Sequence, residues 1–222
     1  MERLIQVTAD GSPTIAIPDM QVTYHSKHGA VQESMHVFIE AGLRYQQKRK
    51  DGALHILEMG FGTGLNALLT LVENRPWPVY YESLETFPLE PELVNALDYG
   101  DVLQEPAATR LLQQLHDASW QEWVPISPSF QLYKRKEDLL DFQPAGFYDI
   151  IYFDAFAPTA QPALWTAPVF KKLEQCMHTD AVLVTYCSKG EVRRAMTAAG
   201  LQVEKIPGPP GKREMVRAFK TN

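Results

Sequence analysis

The sequence predicts an α/β protein with a mainly parallel sheet that ends in an antiparallel hairpin. Three observations lead to this fold class. Apolar segments of strand length alternate with helical segments from residue 53 onwards, a glycine-rich turn follows the first of those strands, and five residues join the last two strands. Alternating strands and helices form a parallel sheet that helices cover on both faces. Five residues are too few for a parallel crossover, so the last two strands must be antiparallel or unpaired.

The first 50 residues precede this alternation and are predicted to form an extension packed on a main domain of residues 51–222. The segment GSPTIAIPD (11–19) is typical of a short hairpin or an extended piece. Met35 to Gln47 carries apolar residues at helical spacing and predicts an amphipathic helix.

The main domain is predicted element by element. Strands are expected at ALHILEMG (53–60), PVYYESLE (78–85), FQLYKRKED (130–138), YDIIYFDAF (148–156), AVLVTYC (181–187), LQVEKIP (201–207) and REMVRAFK (213–220). Helices are expected at Leu65–Asn74, Pro88–Leu97, Thr109–Trp120, Leu139–Phe142, Pro168–Met177 and Gly190–Ala199. Gly200 then fits the left-handed position that follows a helix C-cap. A ligand of such a sheet is expected beyond the C-terminal ends of its strands.

The composition is that of an ordinary globular chain, with 45% hydrophobic and 22% charged residues. No apolar stretch approaches the roughly 20 residues that cross a bilayer, and the N-terminus lacks the layout of a signal peptide. Cys176 and Cys187 belong to no paired metal-ligand motif, and the six histidines are scattered. These features predict a cytoplasmic protein with no metal site and no membrane partner.

The net charge of -6 argues against avid, non-specific binding of nucleic acid. The charge is uneven, however, because the segment from Tyr186 onwards holds eight Lys and Arg against three Asp and Glu. A basic C-terminal end on an acidic body permits a localised contact with a polyanion, although a solvated polar surface has the same composition.

The glycine turn EMGFGTGLN (58–66) is the first candidate ligand site. A P-loop is excluded because no Lys-Ser/Thr pair follows the glycines. The dinucleotide fingerprint G-x-G-x-x-G fails by one residue, since Leu65 stands where its third glycine belongs. The pattern that fits is E-x-G-x-G-x-G, formed by Glu58, Gly60, Gly62 and Gly64. A purely structural tight turn stays open as the alternative.

Three acids after three successive strands suit S-adenosylmethionine, which carries an ammonium, a carboxylate and a sulfonium but no phosphate. Glu58 offers an anion to the positive parts of this cofactor, and the glycines let the backbone and a helix N-terminus meet its carboxylate and ribose. Glu85 is expected to bind the ribose hydroxyls, and Asp138, with Glu137 beside it, is the candidate for the adenine amino group. Each acid alone is equally consistent with a solvent-facing loop carboxylate, but the three together favour a site for S-adenosylmethionine.

The stretch IIYFDAFAPTAQPALWT (150–166) predicts the site of chemistry. Asp154 follows a strongly apolar strand and should emerge at the ligand end of the sheet. The prolines and aromatic residues that follow, Phe156 and Trp165 among them, suit a pocket wall that stacks on a flat group. The alternative is an ordinary helix-capping Asp with loop packing around it.

The motifs LEMGFGTGLN, SLETFPL, FDAFAPTAQPALWT, SKGEVRRAMTAAG and GPPGKREMVRA occur in this order, after TYHSKHGAVQESMHVF. From about Thr8 to Phe219 the chain therefore resembles the methyltransferase module of the MnmC family. The resemblance implies a class I, Rossmann-like S-adenosylmethionine methyltransferase that converts 5-aminomethyl-(2-thio)uridine at the tRNA wobble position to 5-methylaminomethyl-(2-thio)uridine. Because two-domain members also carry an FAD-dependent oxidase, the chain ending at Asn222 is expected to be a stand-alone form without FAD, served by a separate enzyme that supplies the aminomethyl group.

Within this resemblance, Asp154 is expected to hydrogen-bond and orient the acceptor amine. Phe156 and Trp165 are expected to contact the uracil. Lys189, Lys212 and Arg213 are expected at the ligand end of the late strands, where they would contact the tRNA anticodon region through phosphates. Two alternatives stay open: a methyltransferase of another amine, and a catalytically silent tRNA-binding protein.

Overall fold

The N-terminal part of the chain forms a small sheet followed by a long helix; the computed structural model describes residues 2–73 and 77–220. Strands β1 (Leu4–Val7), β2 (Pro13–Ile17) and β3 (Val22–Thr23) pair antiparallel. Helix α1 follows and runs without a break through Ala30–Ser34, a π-helical stretch at Met35–Arg44, and Tyr45–Gln47. The predicted helix is therefore present and begins before Met35.

An eight-stranded sheet forms the centre of the molecule. Its strands are β4 (Leu54–Met59), β5 (Val79–Leu84), β6 (Trp123–Ser127), β7 (Phe130–Arg135), β8 (Tyr148–Phe153), β9 (Met177–Thr185), β10 (Leu201–Pro207) and β11 (Glu214–Lys220). The order across the sheet is β10-β11-β9-β8-β4-β5-β7-β6. Strands β9, β8, β4, β5 and β7 are parallel, and β10 pairs antiparallel with β11. The predicted fold class is confirmed, including its C-terminal hairpin.

Some elements of the structure differ from the predicted ones. Strand β6, which pairs antiparallel with β7 at the sheet edge, was not predicted; Pro125 lies within it, and proline is tolerated in a sheet only at such an edge. The helix predicted at Leu139–Phe142 is a single turn, in which the carbonyl of Asp138 accepts the N–H groups of Asp141 and Phe142. It cannot continue because Gln143 precedes a proline, which disfavours helical backbone.

The helices of the main domain cover both faces of the sheet. They are α2 (Leu65–Glu73), α3 (Pro91–Asn95), α4 (Gly100–Leu103), α5 (Ala108–Asp117), α6 (Ala167–Gln175) and α7 (Gly190–Ala198). Asn74, the last residue of one predicted helix, lies outside the described residues. Gly200 follows α7 with a φ of +95°, as its predicted capping position requires.

Two apolar layers enclose the sheet. Helices α1, α2 and α5 pack on one face with Ile56 and Tyr152, while α6 and α7 pack on the other face with Leu57 and Phe153. Neighbouring strand residues thus enter opposite layers, which explains why these strands are apolar almost throughout. The edge at the C-terminal ends of the parallel strands is left for a ligand.

Candidate active site

A cleft of about 1010 Å³ opens beyond the C-terminal ends of β4, β5, β7 and β8. Of the predicted site residues, those that line it are Gly60, Gly62, Glu85, Asp138, Asp154 and Phe156. Those that do not are Glu58, Gly64, Trp165, Lys189, Lys212 and Arg213. Pockets of roughly 300–1000 Å³ hold a drug-sized ligand, so this cleft has room for a cofactor and part of a second molecule.

The glycine turn between β4 and α2 is tied to the end of β5. The N–H groups of Gly60 and Phe61 both donate to the carbonyl of Leu84, at 3.0 and 3.1 Å. Gly60, Gly62 and Gly64 have φ angles of +90°, +52° and +75°, in the left-handed region that favours glycine. Each of the three glycines therefore meets a backbone requirement of the turn.

Two of these glycines also permit close contacts, on different sides of the turn. A Cβ atom on Gly62 would lie 3.1 Å from the ring of Tyr24, which lines the cleft. A Cβ atom on Gly64 would lie 3.0 Å from His116 Nε2, on α5. Gly62 thus faces the cleft, whereas Gly64 serves the packing of the turn on a helix.

Glu85 joins the glycine turn to the end of β5. Its Oε2 accepts the N–H of Gly62 at 2.9 Å, and its Oε1 accepts the N–H of Phe87 at 2.7 Å. A carboxylate has about four acceptor positions, so Glu85 retains capacity for hydroxyl groups of a ligand in the cleft.

The third predicted acid position is shared by two residues, because both Glu137 and Asp138 line the cleft. Asp138 Oδ1 accepts the N–H of Leu140 at 2.8 Å, while Glu137 Oε2 lies 4.0 Å from Arg135 Nη1. Two apolar side chains line the cleft beside these acids, with Phe87 69% exposed and Leu140 47% exposed. Exposed apolar surface next to carboxylates suits a flat, base-like group.

Glu58 is fully buried beneath the cleft and does not line it. Ser83 Oγ donates to Glu58 Oε2 at 2.7 Å. Burial raises the pKa of Glu58 to about 8, with a further contribution from the nearby Asp154, so Glu58 is largely protonated at neutral pH. This buried position does not match the expectation that Glu58 offers an anion to the cofactor.

Asp154 directly follows β8 and lines the cleft. Asn66 Nδ2, on the first turn of α2, donates to Asp154 Oδ2 at 2.8 Å. Burial raises the pKa of Asp154 to about 7; the Asn66 hydrogen bond lowers it, Glu33 raises it and Lys212 lowers it. A carboxyl whose pKa lies near the working pH is suited to accept and release a proton.

Phe156 and Trp165 have different positions. The Phe156 ring lines the cleft and meets the Tyr24 ring edge to face, with centroids 5.2 Å apart. Trp165 is buried, and its Nε1 donates to the carbonyl of Phe156 at 2.8 Å. Trp165 therefore fixes the backbone of the Phe156 loop and is not the pocket wall expected from the sequence.

One wall of the cleft comes from the N-terminal part, which sequence reasoning did not assign to the site. Its lining residues are Arg3, Ile17, Met20, Tyr24 and His25. The Arg3 guanidinium donates to the carbonyls of Phe87 and Pro88 at 2.8 and 3.1 Å. The segment TYHSKHGAVQES was visible as a polar stretch, but nothing in its pattern indicates which side chains reach the cleft.

Lys212 forms an ion pair and a ring contact within the protein. Its Nζ lies 2.5 Å from Glu33 Oε1 on α1 and 4.0 Å from the centre of the Tyr186 ring. The Tyr186 hydroxyl donates to the carbonyl of Ala155 at 2.8 Å. The structure thus gives Lys212 an internal partner in place of the phosphate contact expected from the sequence.

Lys189 and Arg213 are exposed at the edge of the sheet that carries Asp154. Lys189 precedes α7 shortly after the end of β9, and Arg213 precedes β11. Since β9 is parallel to β8 and the start of β11 pairs antiparallel with the end of β9, both residues lie near that edge. Arg194 on α7 is exposed as well. These cations are available to a polyanion.

Within residues 2–73 and 77–220, no group of three or more His, Cys, Asp or Glu side chains could hold a metal ion. No helix in the same ranges is long and apolar enough to span a membrane. Cys176 and Cys187 are buried free thiols.

Comparison with a family model supports methyl transfer chemistry. A family described as S-adenosyl-L-methionine-dependent methyltransferase matches residues 135–221. The match begins at the end of β7 and includes the Asp138 and Asp154 loops and the C-terminal hairpin.

Two curated relatives share the name tRNA 5-methylaminomethyl-2-thiouridine biosynthesis bifunctional protein MnmC. The protein of Burkholderia thailandensis is 31% identical over 215 residues, covering 91% of this chain and 33% of the relative. The protein of Methylobacillus flagellatus is 32% identical over 206 residues, covering 87% of this chain and 32% of the relative. The chain thus spans about a third of the length of the curated relatives it matches.

Solved structures show the same architecture. MnmC2 from Aquifex aeolicus aligns with all of this chain and 72% of its own, with a TM-score of 0.76 and 25% identity. Spermidine synthase from Thermotoga maritima aligns with 94% of this chain and 65% of its own, with a TM-score of 0.54 and 13% identity. The second likeness shows the fold alone.

Proposed function

The chain belongs to the S-adenosyl-L-methionine-dependent methyltransferases, as a relative of MnmC, and we propose that it N-methylates a tRNA wobble nucleoside. The acceptor is 5-aminomethyl-(2-thio)uridine and the product is 5-methylaminomethyl-(2-thio)uridine. The observation that carries the proposal is the position of Asp154, an acid with a pKa of about 7 in a cleft that also holds the glycine turn and Phe156. The nucleoside itself is inferred from the names of the relatives.

The chemistry of the cleft residues fits S-adenosylmethionine. Gly60 and Gly62 bring backbone and the N-terminus of α2 to the cleft, where a carboxylate is favoured. Glu85 has free acceptor positions for ribose hydroxyls. Glu137 or Asp138 would accept the adenine amino group. When bound, the cofactor supplies an activated methyl group carried on a sulfonium.

The exposed apolar residues complete the adenine end of this site. Phe87 and Leu140 stand beside the two acids and line the cleft. An adenine ring covering them would remove their apolar surface from water, which is favourable by roughly 25 cal/mol per Å².

Asp154 would orient the acceptor amine. An alkylamine resembles Lys, whose ordinary pKa is about 10.4, so it arrives protonated and must give up a proton to become a nucleophile. Asn66 occupies Oδ2 of Asp154, which leaves Oδ1 for the amine. Asp154 then accepts a hydrogen bond from the nitrogen and takes up one proton, while Phe156 and Tyr24 wall the uracil.

The tRNA would be held at the edge of the sheet that carries Asp154. Lys189 and Arg213 are exposed there and suit phosphate groups of the anticodon region. A wobble base turned out of its stack can be held by aromatic side chains.

Nucleoside mass spectrometry tests this proposal. The protein is incubated with S-adenosylmethionine and tRNA from cells that lack the methyl group, and the nucleosides are then analysed. We expect a gain of one methyl on 5-aminomethyl-(2-thio)uridine. A gain on no nucleoside, with the cofactor bound in calorimetry, would contradict the proposed reaction and indicate a silent binding protein.

A further inference from the structure

Asn66 lies between the buried Glu58 and the half-buried Asp154. Its side chain is 3% exposed, and its Nδ2 donates to Asp154 Oδ2 at 2.8 Å. It also lowers the pKa of Glu58, the acid beneath the cleft. Thr70 Oγ1 donates to the backbone carbonyl of Asn66 at 2.7 Å, within α2. Burial and the hydrogen bond to Asp154 hold the Asn66 side-chain amide beside that carboxyl group.

We propose that Asn66 is a positioning residue, which orients Asp154 toward the acceptor amine and stabilises its carboxylate. The inference rests on the proposed function, because it assigns Asn66 a part in that reaction. An N–H donor fixed on Oδ2 leaves Oδ1 of Asp154, a residue that lines the cleft, for the amine. A neutral donor also stabilises the carboxylate without adding a charge to the site.

The two acids cannot ionise independently. Two neighbouring carboxylates disfavour double ionisation, whereas a hydrogen bond donated to a carboxylate favours its charged form. The pKa of Asp154 is about 7 and that of Glu58 about 8, both raised mainly by burial. Hydrogen bonds lower the pKa of both acids, from Asn66 in Asp154 and from Ser83 and Asn66 in Glu58, and Asp154 is the acid that lines the cleft.

Other charged and titratable groups face Asp154 from the surrounding elements. Glu33 on α1 raises its pKa and Lys212 before β11 lowers it. Tyr81 on β5 and Tyr186 after β9 feel its charge, and burial raises the pKa of both phenols, so both stay neutral. Glu33 and Lys212 form an ion pair with each other, which makes their opposing effects partly cancel.

The test compares Asn66→Ala with Asn66→Ser, which keeps an O–H donor, and with Ser83→Ala. The last removes the donor to Glu58 and leaves the donor to Asp154 in place. Two quantities are measured: the pH dependence of kcat/KM for tRNA methylation, and the carboxyl titration of Asp154 by NMR on protein with 13C-labelled aspartate. The Asp154 signal is assigned by its loss in Asp154→Asn, and circular dichroism confirms that each variant is folded.

In Asn66→Ala, we expect the acid limb of kcat/KM and the Asp154 titration to move together by about one pH unit upward, the size expected for losing a hydrogen bond to a charged group. Asn66→Ser should show a smaller shift and Ser83→Ala none at Asp154. An unmoved Asp154 titration in folded Asn66→Ala would overturn the inference. If the wild type methylates no tRNA, the proposed function fails, while the NMR titration still decides what Asn66 does to Asp154.

Discussion

Lys212 Nζ lies 2.5 Å from Glu33 Oε1 and joins the C-terminal hairpin to the N-terminal helix. Glu33 is buried, and its Oε2 also accepts the N–H of Ser26 at 2.7 Å. Both members of the pair shift the pKa of Asp154. This contact therefore ties the N-terminal wall of the cleft to the loop that carries Arg213.

Lys212→Met should destabilise the protein because it leaves the Glu33 carboxylate buried without its cation. We expect the free energy of unfolding in urea to fall by about 1–3 kcal/mol. Lys205→Met is the matched control, since Lys205 pairs with Glu214 at the exposed surface, where an ion pair contributes little. Equal losses in the two variants would contradict the internal role of Lys212.

Glu85→Ala should weaken cofactor binding without unfolding the protein. It removes the acceptor of the Gly62 and Phe87 N–H groups and the proposed acceptor of the ribose hydroxyls. We expect the Kd for S-adenosylmethionine, measured by calorimetry, to rise about 10- to 100-fold. Glu92→Ala, at an exposed position of α3, should leave it unchanged. A Kd within threefold of wild type in Glu85→Ala would exclude Glu85 from the cofactor site.

Gly62→Ala should disturb the cleft through its contact with Tyr24. The new Cβ meets the Tyr24 ring at 3.1 Å, and the positive φ strains the backbone as well. Gly52→Ala is the control for backbone strain without a clash, because Gly52 has a φ of +95° and no atom lies within 4 Å of a Cβ placed on it.

We expect Gly62→Ala, and not Gly52→Ala, to raise the Kd for S-adenosylmethionine. Combining Gly62→Ala with Tyr24→Ala should recover part of the loss, since that double variant removes the clashing ring. Purely additive losses in the double variant would show that Tyr24 does not set the space at Gly62.

The strand-end acids were predictable because parallel strands end at one edge, so Glu85, Asp138 and Asp154 had to lie near each other. The burial of each acidic side chain was not predictable. Glu58 lies in the same motif as the glycines, yet its side chain is buried beside Ser83. A side chain near a strand end points to one face of the sheet or the other. Because these strands are apolar on both faces, their sequence pattern does not indicate which face is open to the cleft.

Contacts between residues far apart in the chain were also not predictable from the sequence. Tyr24 reaches the glycine turn and Arg3 reaches Phe87 only because the N-terminal sheet folds across the cleft. The basic character of Lys212 was visible, but its partner Glu33 lies 179 positions away in the chain. Local charge patterns indicate where a cation is, and only the fold indicates what it faces.

The double variant Lys189→Ala/Arg213→Ala should weaken tRNA binding and flatten its dependence on salt. Each lost phosphate contact lowers the slope of log K against log salt by about 0.7–0.9. Lys48→Ala/Arg49→Ala removes the same charge from exposed positions after α1, away from Asp154. A slope identical to wild type in Lys189→Ala/Arg213→Ala would remove these residues from the tRNA interface.

The most direct test of the central claim is the turnover of Asp154→Asn on tRNA carrying 5-aminomethyl-(2-thio)uridine, with the cofactor Kd measured on the same preparation. Asn cannot take up a proton, so we expect kcat to fall by at least about 100-fold while the Kd for S-adenosylmethionine stays within about threefold of wild type, an allowance well below a tenfold change in affinity. Asp51→Asn, at an exposed position before β4, should behave as wild type in both measurements. Near-normal turnover of Asp154→Asn with normal cofactor binding would contradict the account.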